Sequence, residues 1–458
     1  MLFFAVVLLI IGLIHFYLWK RLVRDPLRPG RGRRIGTALA VLLCALAPVT
    51  LIGVRAGYVK WLSWPGYLWI AVMFYLLVTL AVLEVPRALA LRLWAGPGRT
   101  AAKARTGTAG TASSGQGESG QGETVPASAA IPIADAATGP VGGAATGAQA
   151  GTTAPVVTDV PPTVPPSVAG EGPAGEPEPT PEEKRGIERR LLLARGSAIF
   201  AGLTAAGVTG YGVKTATSAP RIDRFQMPMA KLPRAMDGTR LAVVSDIHIG
   251  PLTGANHAQR IVQVINSVNA DLVCIVGDLV DGSVAELGRF AAPLGGIESR
   301  HGAFFVTGNH EYYSGHEEWI AEVDRLGIRP LRNERVPING LDLAGVNDLA
   351  GEQQGDAPDF GRALGDRDTS RPVVLMAHQP VAAKEAAAFG VDLQVSGHTH
   401  GGQMAPFNLL VKLQQPVVSG FGKVDGVPVY VTNGAGFWGP PVRVGAPPQV
   451  TVIELRAT

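Results

Sequence analysis

Long apolar runs dominate the first part of the chain. Three of them, Leu2 to Trp19, Ile35 to Val54 and Tyr67 to Val85, are long enough to cross a hydrocarbon layer as helices, which takes about 20 residues. The first run lacks the basic start and the small-residue cleavage site of a secretory signal, so we expect a permanent anchor. The pattern therefore predicts a membrane domain with three transmembrane helices over residues 1–95.

Basic residues are distributed unevenly between the loops of this region. Seven lysines and arginines lie between the first two runs and five follow the third, whereas the loop between the second and third runs carries only Arg55 and Lys60. The positive-inside rule places the two basic loops in the cytoplasm and the N-terminus outside.

The composition changes after the third run. From Pro97 to Ile187 the chain consists mainly of Gly, Ala, Pro, Thr and Ser and contains no Phe, Trp or Tyr, so it cannot bury enough apolar surface to offset its ordering entropy. We therefore predict a disordered linker over residues 96–187. A folded domain of unusual composition is the alternative.

A fourth, less hydrophobic stretch runs from Leu191 to Val213 behind a basic flank, and we predict a transmembrane or anchor helix over residues 188–215. The flank belongs inside, so four crossings would make a multi-pass cell-membrane protein whose C-terminal half is extracytoplasmic. Two alternatives stay open. The pair Arg189-Arg190 resembles a twin-arginine export signal, and a buried or interfacial helix here would leave the C-terminal half in the cytoplasm.

After Pro233 the apolar runs shorten and alternate with helical segments, predicted at Ala258–Val268, Val284–Leu294 and Glu317–Leu326. Continuous short apolar runs are typical of strands buried on both faces. We predict such strands at Leu241–Val244, Leu272–Val276, Ala303–Val306, Leu341–Val346, Val373–Met376, Leu393–Val395, Val429–Val431 and Val450–Leu455. The fold class is therefore α/β, a two-sheet α/β sandwich of mixed strand direction preceded by transmembrane helices.

Composition narrows the function classes. The chain has 458 residues, and its formal net charge of +3 is too small to argue for nucleic acid as a partner. Its two cysteines, Cys44 and Cys274, lie in separate apolar segments, so we predict neither a disulfide nor a cysteine metal site.

Side chains typical of metal ligands follow the ends of the predicted strands. They lie in five motifs, Asp246-Ile-His248, Gly277-Asp278, Gly308-Asn309-His310-Glu311, His378 and Gly397-His398-Thr399-His400. Because ligands of open α/β sheets bind beyond the carboxyl ends of strands, we expect the motifs to converge. Two divalent ions about 3.5–4 Å apart can clamp both oxygens of a phosphoryl displacement, and Asp278 at the central strand would bridge them. Mixed imidazole and oxygen ligation suits Mn, Fe or Zn better than Ca.

In this order the motifs resemble those of the calcineurin-like metallophosphoesterase superfamily, D-x-H, G-D, G-N-H-[DE], H and G-H-x-H. The resemblance covers Arg240 to Leu455, and the segments Gly401 to Gln403 and Gly434 to Arg443 look like its membrane-anchored or exported bacterial branch. It implies a metallophosphoesterase domain over residues 236–458 that holds two divalent metal ions.

The resemblance also implies a role for each motif residue. One ion would be bound by Asp246, His248, Asp278 and His400, and the other by Asp278, Asn309, His378 and His398. A hydroxide bridging the ions would be the nucleophile. His310 would stabilise the transition state and help to protonate the leaving oxygen, and Glu311, where many relatives have Asp, would orient it.

Other polar and aromatic residues have open roles. Arg443 is either a phosphate contact or an exposed loop arginine. Trp438 and Phe437 either frame a substrate groove or pack under their loop. His257, His301 and His316 are expected at the surface or at helix ends, outside the motif set.

The sequence thus predicts a membrane-anchored, metal-dependent phosphoric ester hydrolase acting on phosphomonoesters or phosphodiesters. A lipid-linked or cell-envelope substrate follows from its location alone. The alternative is a membrane signalling or scaffold protein whose metal domain binds a phosphorylated ligand without turnover. Nuclease activity is disfavoured, since the C-terminal half has no concentrated basic face.

Overall fold

A computed structural model describes residues 2–94 and 180–458. The predicted linker over residues 96–187 lies outside the described residues except for its end, where a helix begins at Pro181.

Four long helices in the described part of the chain are apolar enough to span a membrane. They are α1 (Leu2–Trp19), α2 (Arg31–Gly53), α3 (Ser63–Trp94) and α4 (Pro181–Thr217). Each contains one of the predicted apolar runs. The prediction of apolar helices ahead of the α/β part is therefore confirmed, whereas the number of crossings and the side of the catalytic half stay predictions.

Helices α1, α3 and α4 contact one another through small side chains and one polar network. Ala71, Ala201 and Ala205 are fully buried in their shared cluster. At the end of α1 and in the last part of α3, charged side chains pair with each other, at 2.9 Å for Arg21 to Asp25, 2.7 Å for Arg21 to Glu84 and 3.3 Å for Arg87 to Asp25. Each carboxylate therefore lies beside an arginine, as expected for charges in an apolar helix bundle.

The rest of the described chain alternates strands with shorter helices. The strands are β1 (Arg221–Met229), β2 (Arg240–Val244), β3 (Leu272–Val276), β4 (Ala303–Val306), β5 (Ile328–Pro330), β6 (Glu334–Ile338), β7 (Leu341–Gly345), β8 (Val373–Met376), β9 (Leu393–Ser396), β10 (Gly420–Val424), β11 (Val427–Val431) and β12 (Gln449–Ala457). The helices are α5 (Ala255–Ser267), α6 (Val284–Ala291), α7 (Asn309–Ser314), α8 (His316–Arg325), α9 (Phe360–Leu364), α10 (Ala383–Ala386) and α11 (Asn408–Val411).

These strands form two six-stranded sheets of mixed direction, ordered β1-β12-β2-β3-β4-β5 and β10-β11-β9-β8-β7-β6. One apolar cluster includes Leu241 and Cys274 of the first sheet and Leu343 and Val395 of the second, so the two sheets pack face to face. The helices cover the outer faces; Ile261 of α5, for example, is fully buried against the first sheet. The predicted α/β sandwich is confirmed.

Four strands were not predicted, namely β1, β5, β6 and β10. The longest of them, β1, begins directly after α4 and pairs in parallel with β12 over its whole length. Most of its side chains are exposed or half-buried, so it lacks the apolar run that marks the other strands. The first sheet therefore starts ahead of residue 236, where the sequence places the start of the metallophosphoesterase domain.

Candidate metal centre

The loops that follow five parallel strands meet at one end of the sandwich. The first sheet supplies Asp246 and His248 after β2, Asp278 after β3, and Asn309 and His310 after β4, and the second supplies His378 after β8 and His398 and His400 after β9. All seven predicted metal ligands and His310 are thereby brought together. Their role as ligands remains a prediction, which the distances below support.

The first group consists of Asp246, His248 and His400. The Nε2 atoms of the two histidines are 3.0 Å apart, and His400 Nε2 is 3.3 Å from Asp246 Oδ1. Two adjacent ligand nitrogens at about 2.1 Å from one ion lie about 3 Å apart when they subtend a right angle. The spacing of this group therefore suits a shared cation.

The second group consists of Asp278, His378 and His398. His378 Nε2 lies 3.1 Å from Asp278 Oδ2, and His398 Nδ1 lies 3.0 Å from Asn309 Oδ1. Asp278 Oδ2 is also 3.9 Å from His248 Nε2 in the first group. Asp278 thus lies between the two groups, where a bridging carboxylate is needed.

His378 provides a direct test of whether a cation fits. Its Nδ1 donates a 2.8 Å hydrogen bond to Val276 O, so Nε2 is the nitrogen left for a ligand bond. That Nε2 is buried and makes no hydrogen bond, although Asp278 is close. An imidazole oriented by a backbone carbonyl is a common arrangement for a metal ligand, and the oxygen and imidazole donors around it suit a divalent transition metal.

The backbone at these positions is unusual. Five of them have φ between 49° and 69°, in the left-handed region that residues other than glycine seldom adopt. They are Asp246, His248, Asp278, His398 and His400. Such conformations persist where the surrounding structure imposes them, and they cluster at functional sites. Five of the seven predicted ligands therefore have a backbone that points to a functional site.

Asp281 is a site residue that the sequence analysis missed. Its Oδ1 lies 2.6 Å from His310 Nδ1 and 2.9 Å from His248 Nδ1. Burial opposes protonation of His310, but the charges of Asp278 and Asp281 outweigh it and raise its pKa to about 9. The sequence Gly277-Asp278-Leu279-Val280-Asp281 contained a signal for this residue. Asp281 is an acidic residue only three positions after a predicted ligand at a strand end, so it belongs to the same loop.

Glu311 does not orient His310, contrary to expectation. Its carboxylate accepts hydrogen bonds from the backbone N–H groups of Asp278, Leu279 and Gly308 at 2.6 to 3.0 Å. Burial and the charge of Asp278 raise its pKa to about 7. Glu311 therefore fixes the loop after β3 to the loop after β4, and Asp281 is the carboxylate that contacts His310.

Arg443 is neither a phosphate contact nor an exposed loop residue, so both expectations were wrong. It is fully buried and donates to the carbonyls of Gly436, Asn433, Ala446 and His400. Its Nη2 lies 3.0 Å from His400 Nδ1. Burial lowers its pKa to about 10, so the guanidinium stays charged at neutral pH.

The charge of Arg443 also acts on His400. Burial lowers the pKa of His400 well below its usual value, and the charges of His248 and Arg443 add to this effect. His400 is therefore neutral, as a ligand must be. Arginine can only donate, so His400 Nδ1 accepts from Arg443, and this contact fixes the orientation of the ring.

The aromatic residues of the loop after β11 separate into two roles. Trp438 is half-exposed, and its ring centroid is 6.2 Å from that of His310. Phe437 is buried and packs near His257. His257 lies in the first turn of α5, at a helix end as expected; it is buried and hydrogen-bonds Ile247 O.

A cavity of about 430 Å³ lies at the opposite ends of the strands, beside Gly302, Arg329 and Pro337. It contains none of the predicted ligands.

Comparison with known proteins gives consistent matches. A family profile described as calcineurin-like phosphoesterase matches residues 239–402. A zebrafish transmembrane protein with metallophosphoesterase domain is 38% identical over 54% of this chain and 60% of its own length. A metallophosphoesterase of Helicobacter pylori is 36% identical over 60% of this chain and 73% of its own. One of Aquifex aeolicus is 32% identical over 52% of this chain and 92% of its own.

The residues matched by the family profile, 239–402, contain all the ligand motifs, and the chain spans 60% of the length of the zebrafish relative. The match to the Helicobacter pylori protein extends over nearly three quarters of that protein. The chain belongs to the calcineurin-like metallophosphoesterase family.

Proposed function

We propose that the protein is a membrane-anchored dinuclear-metal phosphoesterase that hydrolyses phosphomonoester or phosphodiester bonds. The observation that carries the proposal is the pair of ligand groups with Asp278 between them. Family membership supports the reaction class, and the Asp281–His310 contact supplies a proton donor beside the ligands.

Two divalent ions would be held by the two groups. Asp246, His248, Asp278 and His400 would bind one, and Asp278, Asn309, His378 and His398 would bind the other. When bound, manganese, iron or zinc ions supply the Lewis acidity that makes a hydroxide available near neutral pH and neutralises charge on the phosphoryl oxygens.

His310 would act as the general acid. Its Nδ1 is fixed on Asp281, and its Nε2 faces the centre 4.0 Å from Asp278 Oδ2. The raised pKa keeps the ring protonated at neutral pH, so Nε2 can give its proton to the leaving oxygen while Asp281 keeps the ring oriented. A carboxylate on the far nitrogen of a catalytic histidine fixes both its tautomer and its direction.

The interior of the site would hold this geometry. Glu311 joins the loops that carry Asp278 and His310, and Arg443 holds His400 at Nδ1, the ring nitrogen that does not face His248. A Cβ at Gly308 would collide with the Asp278 carboxylate, so the close approach of these two loops requires glycine.

The apolar helices would anchor the enzyme in the cell membrane. The uneven distribution of basic residues between the loops of α1 to α3 supports a multi-pass topology with the metal centre outside the cytoplasm. A substrate at the membrane surface or in the envelope, such as a lipid-linked phosphoester, fits this location.

Turnover of chromogenic esters by the full-length protein tests the proposal. With added Mn²⁺ the purified protein is expected to hydrolyse a nitrophenyl phosphomonoester or a bis-nitrophenyl phosphodiester, and His310→Gln to lose this activity while binding the same amount of metal. Asp366→Asn, which changes an exposed carboxylate away from the site, is the matched control. Tight binding of the esters without product release would favour the scaffold alternative and refute the proposal.

A further inference from the structure

An apolar segment follows the last predicted metal ligand and has no function in the site. Residues 404–413 read Met-Ala-Pro-Phe-Asn-Leu-Leu-Val-Lys-Leu and contain one charge, Lys412. Phe407, Leu409, Leu410 and Leu413 expose between 46% and 83% of their surface. Contiguous exposed side chains of this kind mark a surface that contacts a protein, a ligand or a membrane.

The position of this segment is fixed by two candidate membrane helices. The rings of Phe407 and Phe74 of α3 form an edge contact at 6.4 Å. Met404 belongs to the same apolar cluster as Ala71 of α3 and Ala205 of α4. The segment therefore lies directly beside the apolar surfaces of α3 and α4.

Backbone hydrogen bonds hold the neighbouring loop on α4. Arg443 N donates to Gly212 O at 2.9 Å, and Val444 pairs with Gln403 and Ala405 on either side of Met404. These hydrogen bonds fix the position of the segment along the axis of α4, because the segment cannot slide along the helix without breaking them.

The position of the segment along α4 can be compared with the thickness of a membrane. Arg195 of α4 donates to Pro26 O beside the basic loop that follows α1. Gly212 lies about 25 Å further along the helix axis at the usual rise of 1.5 Å per residue. A hydrocarbon layer is about 30 Å thick. If the inner boundary of the layer is at Arg195, then Gly212 lies near the outer boundary but still inside the layer. Residues 404–413, which are held at the level of Gly212, then reach into the hydrocarbon.

The same segment is connected to the metal centre. His400 precedes it by one short turn, and the side chain of Gln403 both donates to Trp438 O and accepts from Trp438 N. Trp438 in turn borders His310. The opening of the centre and the apolar segment are therefore parts of one rigid surface.

We propose that residues 404–413 are immersed in the acyl chains of the outer leaflet, so that the metal centre opens at the bilayer surface and receives a phosphoester carried on a lipid. The bilayer is the occupant that the contacts favour, because the segment packs on α3 and α4, and α4 itself exposes apolar side chains such as Leu203. Insertion of apolar side chains by about 5–10 Å is typical of interfacial segments, and Lys412 can extend its charge back to the headgroups. The immersion rests on the membrane anchoring and sidedness of the proposed function, and the lipid substrate rests on its reaction as well.

Depth-dependent quenching tests the immersion. The full-length Cys44→Ala protein, carrying an environment-sensitive dye on Leu410→Cys, is placed in phosphatidylcholine nanodiscs with nitroxide groups on the acyl chains. Strong quenching and a blue shift are expected at this position, and neither at Asp366→Cys on the exposed surface of the catalytic half. A dye that stays in water, or one shielded only at high protein concentration by a second copy, would overturn the proposal.

Paired substrates test the consequence for catalysis. The double variant Leu410→Glu/Leu413→Glu is expected to hydrolyse the soluble nitrophenyl ester at the wild-type rate, and dioleoyl phosphatidate or phosphatidylglycerol in phosphatidylcholine vesicles about tenfold more slowly. The variant Leu410→Met/Leu413→Met is the matched control and should retain both rates. Equal loss on both substrates, or no loss on the lipids, would refute the link to the substrate. Absence of soluble turnover in the wild type together with lipid quenching at Leu410 would instead refute the proposed function alone.

Discussion

Two parts of the metal centre contain charged side chains but differ in their access to solvent. We call Asp281, His310 and Trp438 the rim, and His400 and Arg443 the floor. In the rim His310 has one carboxylate partner on Nδ1, and its Nε2 lies 4.0 Å from Asp278 Oδ2 without a hydrogen bond between them. In the floor every nitrogen of Arg443 faces a carbonyl or the ring of His400, and the side chain is fully buried. The comparison indicates that, among the charged side chains outside the two ligand groups, the fully buried Arg443 supports the site, whereas the partly exposed Asp281 and His310 can take part in the reaction.

Asp278 belongs to neither part, and its loss should have the largest effect. Asp278→Asn removes the charge that lies between the two ligand groups, so we expect turnover of a soluble phosphoester to fall by about a thousandfold. Elemental analysis should show that at least one equivalent of metal is lost as well. Retention of both activity and metal content would contradict the assignment of the two groups, and Asp366→Asn controls for loss of an ordinary carboxylate.

Arg443→Met tests the floor. The variant leaves the carbonyls of Gly436, Asn433 and Ala446 without their donor, so we expect the free energy of unfolding to fall by about 3 kcal/mol. Thermal unfolding of the full-length protein measures this change, and metal titration should show weaker binding by about ten- to a hundredfold because His400 loses its support. Arg443→Lys keeps the charge but not the fork of donors, so its melting temperature and metal affinity should lie between those of the wild type and those of Arg443→Met. An unchanged melting temperature with lost turnover would mean that Arg443 contacts the substrate after all.

The roles of Arg443 and Asp281 show where reasoning from the sequence stops. The ligand motifs could be predicted because each follows an apolar run, and the carboxyl ends of parallel strands share one edge of a sheet. The burial of Arg443 depends instead on distant pairing, in which Ala435 and Gly436 donate to the carbonyls of Ser245 and Asp246. No local pattern encodes that pairing.

Strand β1 shows the same limit for the fold. Its side chains are mostly exposed or half-buried, and only its pairing with β12 at the other end of the chain makes it a strand. Asp281 is a different case, since its distance from Asp278 in the sequence was visible. The sequence does not show in which direction the Asp281 side chain points. The structure shows this direction through the contact of Asp281 with His310.

Asp281→Asn tests the rim. The substitution removes one of the charges that raise the pKa of His310, so the ring loses its proton at a lower pH. Because the acid form is the active one, turnover should decline at lower pH on the alkaline side of the pH–rate profile, and the maximal rate should fall by about a hundredfold. Asp281 also contacts His248 Nδ1 at 2.9 Å, so metal should bind more weakly as well, and the profile is therefore measured at saturating metal.

The control for the rim is Glu311→Gln. Glu311 bonds to three backbone amides and does not contact the ring of His310. Its charge raises the pKa of His310 less than the contact with Asp281 does, so its substitution should lower stability and shift the alkaline side of the profile by less than Asp281→Asn does. A shift of the profile in Glu311→Gln and none in Asp281→Asn would reverse the two roles assigned here.

The smallest effect is expected at an ion pair that is neither rim nor floor. Lys60, in the loop before α3, lies 2.6 Å from Glu286 of α6, and both side chains are 49% exposed. Water and salt screen such a pair, so Lys60→Gln should change the free energy of unfolding by less than about 1 kcal/mol. The hydrogen bond from Lys60 lowers the pKa of Glu286, so this small contribution is present above the usual pKa of a glutamate and disappears as the pH falls and the carboxylate is protonated. Thermal unfolding of Lys60→Gln beside Arg443→Met, at low and high salt, measures the contrast. A loss as large as that of Arg443→Met would show that an exposed charge can support this structure as strongly as a buried one, and the distinction between rim and floor would then not rest on burial.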